Sequence, residues 1–158
     1  MKEFNDFLQK IGSSYHVEEK FLKLNNKRFL ANKMIIDNIY NKSRLVYAGK
    51  LLGRTGGEFI PSSTFLQELA KYNDVNKIWV NEKVGWLFIC GRDIFKENII
   101  KNEGSLKEGC YSLVMHEEDC LGYGKIEENK DRTIFRNLFN IGDFIQREKD
   151  ILKTPKRE

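Results

Sequence analysis

Apolar residues recur at three- and four-residue steps near the start of the chain. Phe4, Phe7, Leu8 and Ile11 fall on one face, with Gly12 as a natural stop. The spacing predicts an amphipathic helix over Glu3 to Ile11. Phe21, Leu22 and Leu24 precede Asn25-Asn26, and Arg28, Phe29 and Leu30 follow. That pattern predicts a hairpin whose turn uses the tolerance of asparagine for positive φ. Ile35, Ile36, Ile39 and Tyr40 form a second helical stripe. Leu45 to Arg54, the glycine-rich Gly53-Arg54-Thr55-Gly56-Gly57, and then Phe59 and Ile60 read as two strands joined by a turn. Ser62 or Ser63 then caps a helix carrying Phe65, Leu66, Leu69 and Ala70, with Gln67 or Glu68 expected to complete a capping box. Tyr72-Asn73-Asp74 ends it, and a domain boundary is placed near Val75.

Beyond that boundary the apolar runs shorten and glycines break them. Ile78 to Val80 and Trp86 to Cys90 are expected as strands, connected by Asn81 to Gly85. Gly91 permits a sharp turn, and Asp93 to Lys96 fits a helix of one or two turns. Asn98 to Glu108 is polar and reads as a loop. Cys110 to Met115, Leu121 to Ile126 and Ile134 to Phe139 supply three further strands. Five short strands without long helices between them predict a small closed or nearly closed barrel. Residues 153–158, with the sequence KTPKRE, are expected to be a flexible, solvated tail.

The order of these pieces carries a resemblance. KIWVNEKVGWLFICGRDIFKEN, GCYSLVMHEEDCLGYGKI and IFRNLFNIGDFI together resemble the PUA domain, an RNA-binding module named for pseudouridine synthases and archaeosine transglycosylases. Upstream, LVYAGKLLGRTGGEFIPSSTFLQELAKY running into KIWV resembles the pre-PUA domain of large-subunit ribosome-biogenesis proteins of the Nip-seven type, in a short, archaeal-like form. No single piece is specific; order and spacing carry the likeness. It implies an α+β protein: an N-terminal α/β pre-PUA domain over residues 1–75, followed by a small mixed β-barrel PUA domain over 76–152. It also implies a non-catalytic RNA-binding factor in large-subunit assembly and pre-rRNA processing. Its partners would be precursor or mature large-subunit rRNA, including uridine-rich single strands, and assembly proteins met through the first domain. The expected location is cytoplasmic, or nucleolar in a eukaryote.

Composition narrows the class further. The chain has 158 residues, 41% of them apolar, enough for one moderate core or two small ones. No run approaches the roughly eighteen apolar residues of a membrane helix, and MKEFNDFLQKIG does not read as a secretory signal. No membrane partner is expected. Cys90, Cys110 and Cys120 lack CxxC spacing and are expected as small buried hydrophobes. His16 and His116 share no ligand motif, so no metal is assigned. Net charge is +4, with 12 Lys/Arg against 8 Asp/Glu up to Val75 and 15 of each from Asn76 onward. The C-terminal half must therefore segregate its cations onto one face before it can hold phosphates.

Catalytic and cofactor motifs are absent. Gly122-Tyr123-Gly124 is half a dinucleotide fingerprint with no long helix after it, GRTGG lacks the Lys-Ser/Thr pair of a P-loop, and neither HExxH nor GxSxG occurs. No cofactor is expected. The candidate RNA contacts are Arg92, Lys96, Lys101, Lys125, Lys130, Arg132 and Arg136. Arginine presents a planar fork to phosphate oxygens and stacks on bases, and lysine adds a flexible point charge. Lys96 lies on the family's helix motif. Arg136 is a cation within an apolar strand and must reach solvent or a partner. Lys42, Arg44, Lys50 and Arg54 could extend this surface or face a protein. Trp79 and Trp86 are expected in the core or between domains. An aromatic exposed beside a cation would favour single-stranded RNA, and one without a cation a protein groove. A protein adaptor, a recognition subunit for a separate RNA-modifying enzyme, and an RNA-modifying enzyme itself remain as alternatives.

Overall fold

The computed structural model describes residues 2–17, 20–39 and 44–143. Lys2–Ile11 (α1) buries Phe4, Phe7, Leu8 and Ile11, as its spacing predicts, and stops at Gly12 with φ +77. Lys20–Leu24 (β1) and Lys27–Ala31 (β2) form the expected hairpin, with Asn25 at φ +53 in the turn. Lys33–Ile39 (α2) follows; Tyr40 lies outside the described residues. Lys50–Thr55 (β3) and Phe59–Pro61 (β4) complete an antiparallel sheet of order β1-β2-β3-β4.

Ser63–Leu69 (α3) is capped by Ser62, whose hydroxyl accepts from the Phe65 amide at 3.1 Å. The capping box does not form. Because the helix starts at Ser63, its third position is Phe65, and Gln67 and Glu68 fall in the next turn. Gln67 instead exchanges hydrogen bonds with the Cys120 backbone, at 2.7 and 3.2 Å. Glu68 pairs with Lys50 and accepts from the Tyr15 hydroxyl.

Lys77–Trp79 (β5) begins the second sheet as expected, but three assignments beyond it are corrected. Residues 86–90 are not a strand: Glu82–Ile89 is a helix (α4), capped by Asn81 on the Val84 amide at 2.9 Å. Val84 and Phe88, four apart, are its inward face, so a short apolar run that also suits a strand folds as a helix once capped. Residues 93–96 are not a helix either. Ile94–Phe95 (β6) alternates buried and exposed, and a 3-10 turn over Lys96–Asn98 follows. Within the expected loop, Lys101–Glu103 (β7) pairs with β5. Tyr111–His116 (β8), Asp119–Asn129 (β9) and Arg132–Asn140 (β10) match the three expected strands and extend them.

The second sheet runs β6-β10-β9-β8-β5-β7, antiparallel except for β5 beside β8. Laid flat, six strands would hold β6 and β7 about 24 Å apart. Only the five residues 96–100 join them, and these span at most about 20 Å fully extended, less with a 3-10 turn inside. The sheet must therefore curl. Its inner face packs Ile78, Val80, Phe88, Ile94, Val114, Ile126 and Phe135. Tyr111, Leu113, Met115 and Tyr123 leave the other face of β8 and β9 and join Phe4, Phe7, Ile11, Phe59, Phe65 and Leu69 in a second core. Strand β8 is thus buried on both faces, which explains its unbroken YSLVM run.

Two further expectations fail on exposure. Cys90 lies exposed at the end of α4, whereas Cys120 is buried, which pushes its thiol up to about 12. Trp86 is 58% exposed, because the inward face of α4 is taken by Val84 and Phe88; Trp79 is half-buried against the second core.

Asn76, 5% exposed, joins the two halves. Its backbone amide donates to Ile11 and its carbonyl accepts from Leu113. Its side chain donates to the Tyr111 carbonyl at 3.0 Å and accepts from the Ser105 amide at 2.8 Å. Gly104 is at φ +80, where a Cβ would stand 2.1 Å from Asn76 Oδ1, so only glycine lets the loop close on this amide. Asn76→Ala strands the carbonyl of buried Tyr111 and the amide of half-buried Ser105. It is expected to lower the unfolding free energy by about 2–4 kcal/mol in urea titration; a change within about 0.5 kcal/mol would show that the amide is not the joint.

Candidate nucleic-acid interface

Directly paired residues of neighbouring antiparallel strands share a face, and alternate residues along a strand share it too. Ile134 pairs with Phe95 and Glu127, Arg136 with Lys125, and Arg132 with Asn129. Arg132, Ile134, Arg136, Lys125, Glu127 and Phe95 therefore stand on one face of β6, β10 and β9. This is the same face that carries Tyr123 into the second core, beyond the reach of the N-terminal half.

At the edge of that face the Arg132 guanidinium lies 5.2 Å from the centre of the Phe95 ring, which is 41% exposed. Ile134 flanks the ring on the adjacent strand. A cation held against an open aromatic ring offers both a stacking surface and a phosphate contact.

Arg136 reaches two carboxylates. Its Nη1 donates to Asp93 Oδ2 at 2.6 Å, and Nη2 and Nε donate to Glu127 Oε2 at 2.9 and 3.1 Å. These contacts raise its own already high pKa, the Glu127 hydrogen bonds first. Its fork is thus spent on organising the surface. Asp93 Oδ1 also accepts from the Asn137 amide at 2.8 Å, and Asn137 Nδ2 donates to the carbonyls of Phe88 and Arg92. One network therefore fixes β10 to the end of α4 and the approach to β6.

Of the other candidates, Lys125 sits 3.6 Å from Glu127. Lys130 is exposed in the two-residue turn between β9 and β10, Lys96 opens the 3-10 turn after Phe95, and Arg92 is exposed just before β6. Lys101 stands on β7, over the Trp79 ring at 4.5 Å and paired with Glu103 at 2.7 Å, so it belongs to the other edge of the sheet. Of the N-terminal basic group, Lys50 is tied to Glu68, Arg44 and Arg54 are exposed, and Lys42 lies outside the described residues. Sequence reasoning missed Phe95, Asp93 and Glu127. The signal for Phe95 was the in-out alternation of Ile94 and Phe95, which the helical reading of 93–96 concealed.

Residues 76–149 match the family model of the UPF0113 PUA domain. A UPF0113 protein from Archaeoglobus fulgidus is 27% identical over 114 residues, covering 67% of this chain and 65% of the relative. The chain thus spans just under two thirds of the length of that curated relative. A solved structure of a conserved PUA domain protein from Thermoplasma acidophilum shares the fold, with TM-score 0.57 at 16% identity, over 93% of this chain and 91% of the other. The curled sheet lies within the matched residues, and so does the face just described.

The Glu127 carboxyl is held below its ordinary 4.5, first by the Arg136 hydrogen bonds and then by the charges of Arg136 and Lys125. A depressed folded value means that its stabilising contribution is whole above 4.5 and is lost as pH falls through the lowered value. Glu127→Gln is therefore expected to be less stable than wild type near neutrality, with the difference closing as pH drops below 4.5 in urea unfolding. A difference independent of pH would detach Glu127 from Arg136.

Proposed function

We propose that the protein is a non-catalytic RNA-binding factor that holds single-stranded RNA on the β6-β10-β9 face of its PUA part. The observation that carries this reading is the Arg132 guanidinium against the exposed Phe95 ring. An unpaired base stacks on Phe95, and the flanking phosphates meet Arg132 against the ring, Lys96 next to Phe95 in the chain, and Lys130 in the turn that leads into Arg132. Duplex cannot use the ring, because its bases are already stacked. RNA binding is the general property of PUA domains, which supports the assignment.

Charge limits the strength of the contact. Around the face Arg92, Lys96, Lys125, Lys130, Arg132 and Arg136 stand against Asp93, Glu97, Glu127, Glu128 and Asp131, a near balance. Stacking must then carry much of the affinity. The wider role we propose is in large ribosomal subunit assembly and pre-rRNA processing, in the cytoplasm, with the first domain acting as a pre-PUA adaptor to other assembly proteins. It is supported by the likeness of residues 45–80 to the Nip-seven type.

One observation favours a second reading, a protein adaptor. Helix α4 turns Trp86 and Leu87 outward, 58% and 44% exposed, and no cation-ring contact involves Trp86 among the described residues. A protein groove suits such a face better than phosphate.

Fluorescence anisotropy with labelled uridine-rich and adenine-rich single strands, at several salt concentrations, separates the two. Phe95→Ala is expected to weaken binding about 5- to 100-fold at unchanged salt slope, the loss of one stacked base. Arg132→Ala together with Lys130→Ala should make the log-log salt slope shallower by about 1.4, two phosphate contacts on a single strand. Trp86→Ala should leave RNA affinity as it was. Absence of binding by wild type would remove the RNA reading and leave the adaptor.

A further inference from the structure

A groove of about 430 Å³ lies where the first sheet meets the end of β10. Leu51, Ile60 and Pro61 line it from β3 and β4, and Phe139 and Ile141 from β10 and the residue beyond. Lys27 and Arg54 also line it, as does one carboxylate, Asp143. Lys27 and Arg54 are directly paired across β2 and β3. Like charges placed opposite one another destabilise a sheet, and no ion pair among the described residues engages either. The fold thus keeps two repelling cations beside an apolar hollow, an arrangement suited to a ligand with an anionic group and a planar apolar one.

The register of β10 connects this groove to the stacking ring. Between Asn137 and Phe139 the pairing with β9 slips by one residue, so that Asn137 opposes Gly124 and Phe139 opposes Tyr123. Leu138 is the extra residue and is exposed. Without the slip, Phe139 would fall on the opposite face from Arg132, Ile134 and Arg136. With it, one face of one strand runs from Arg132 beside Phe95 to Phe139 in the groove, about 23 Å at the rise of a strand.

We propose that the groove is a second nucleotide site for the same RNA strand: an unpaired base enters against Phe139 and Ile60, and its phosphate meets Lys27 and Arg54. The inference rests on the RNA-binding reading above and extends the footprint from the PUA part onto the first sheet. At about 3.4 Å per stacked nucleotide, the distance is about seven nucleotides, fewer if the strand is stretched. A short oligonucleotide can then fill one site only, whereas a longer one gains from both.

The test uses the full chain with labelled oligouridylates of about three and about twelve residues, in anisotropy titrations of wild type, Phe95→Ala and Lys27→Ala/Arg54→Ala. The double variant is expected to bind the longer strand about 5- to 30-fold more weakly and the short strand within about threefold of wild type. Its thermal midpoint should be no lower than that of wild type, since a repulsion has been removed. Unchanged affinity of the double variant for the longer strand, while Phe95→Ala weakens it, overturns the groove and leaves the first site standing. No binding of either strand by wild type overturns the RNA reading itself, and the groove with it. A wild-type dimer in sedimentation that the double variant dissolves would assign the groove to a second copy. An intramolecular contact on Phe139 from residues beyond Asp143, seen by nuclear Overhauser effects and not displaced by RNA, would assign it to the chain itself.

Discussion

The short link between β6 and β7 constrains the rest of the second sheet. Six paired strands set a width, five residues set a reach, and the two agree only if the sheet curls. Curling gives the sheet a closed inner face that Phe88, Ile94, Val114 and Phe135 fill. It also turns the opposite face outward, and β6, a strand of only two residues, completes that face. Phe95 is there because β6 pairs with β10 at Ile134 and Phe135. The stacking ring is thus a consequence of closure, placed by backbone hydrogen bonds and kept open because nothing further along the chain covers it among the described residues.

The outer face of β8, β9 and β10 is shared between two tasks along its length. Towards Tyr123 and Leu113 it is apolar and holds α1, α3 and the first sheet; towards Lys125, Glu127 and Arg136 it is charged and free of them. The two zones meet without a break, so the first half of the chain cannot shift on the second without disturbing aromatic contacts such as Phe7 against Tyr123 at 5.4 Å. Asn76 reinforces this. Its four hydrogen bonds tie the end of α1, the start of β8 and the Gly104 turn to one buried side chain and its backbone. A groove formed between the first sheet and β10 therefore has walls fixed by packing, which a base-sized ligand requires if it is not to spend binding energy on ordering them.

Much of this architecture was legible from periodicity. The α1 stripe, the Asn25-Asn26 hairpin, the Ser62 cap and the last three strands all show in spacing and turn chemistry, because each is decided locally. The misread segments are those where local patterns are ambiguous. VGWLFI is apolar enough for a buried strand, and only the Asn81 cap with the four-residue step from Val84 to Phe88 decides for helix. Ile94 and Phe95 are too few to show a period, and β7 is a polar edge that tertiary pairing alone creates. The candidate surface was legible as a list of cations but not as an arrangement. Nothing in spacing says that Arg136 would meet Asp93, forty-three residues away, or that Lys101 would be drawn to Trp79 and Glu103.

Those pairings change what the surface can be. A face built of free cations would bind any polyanion and would do so mainly through counterion release. Here Arg136 and Lys125 have carboxylates at hand, and what remains least encumbered is an aromatic ring with one guanidinium against it and lysines in the adjoining turns. Carboxylates on the same face repel a phosphate backbone that lies flat across it, and tolerate one that touches at the edge while a base reaches inward. On the RNA-binding reading proposed above, such a surface would disfavour duplex, whose two backbones would have to cross Glu127 and Asp93, and would admit a single strand approaching from the Phe95 side. The acidic residues that weaken the case for a general polyanion site are thus the features that would make the proposed one selective.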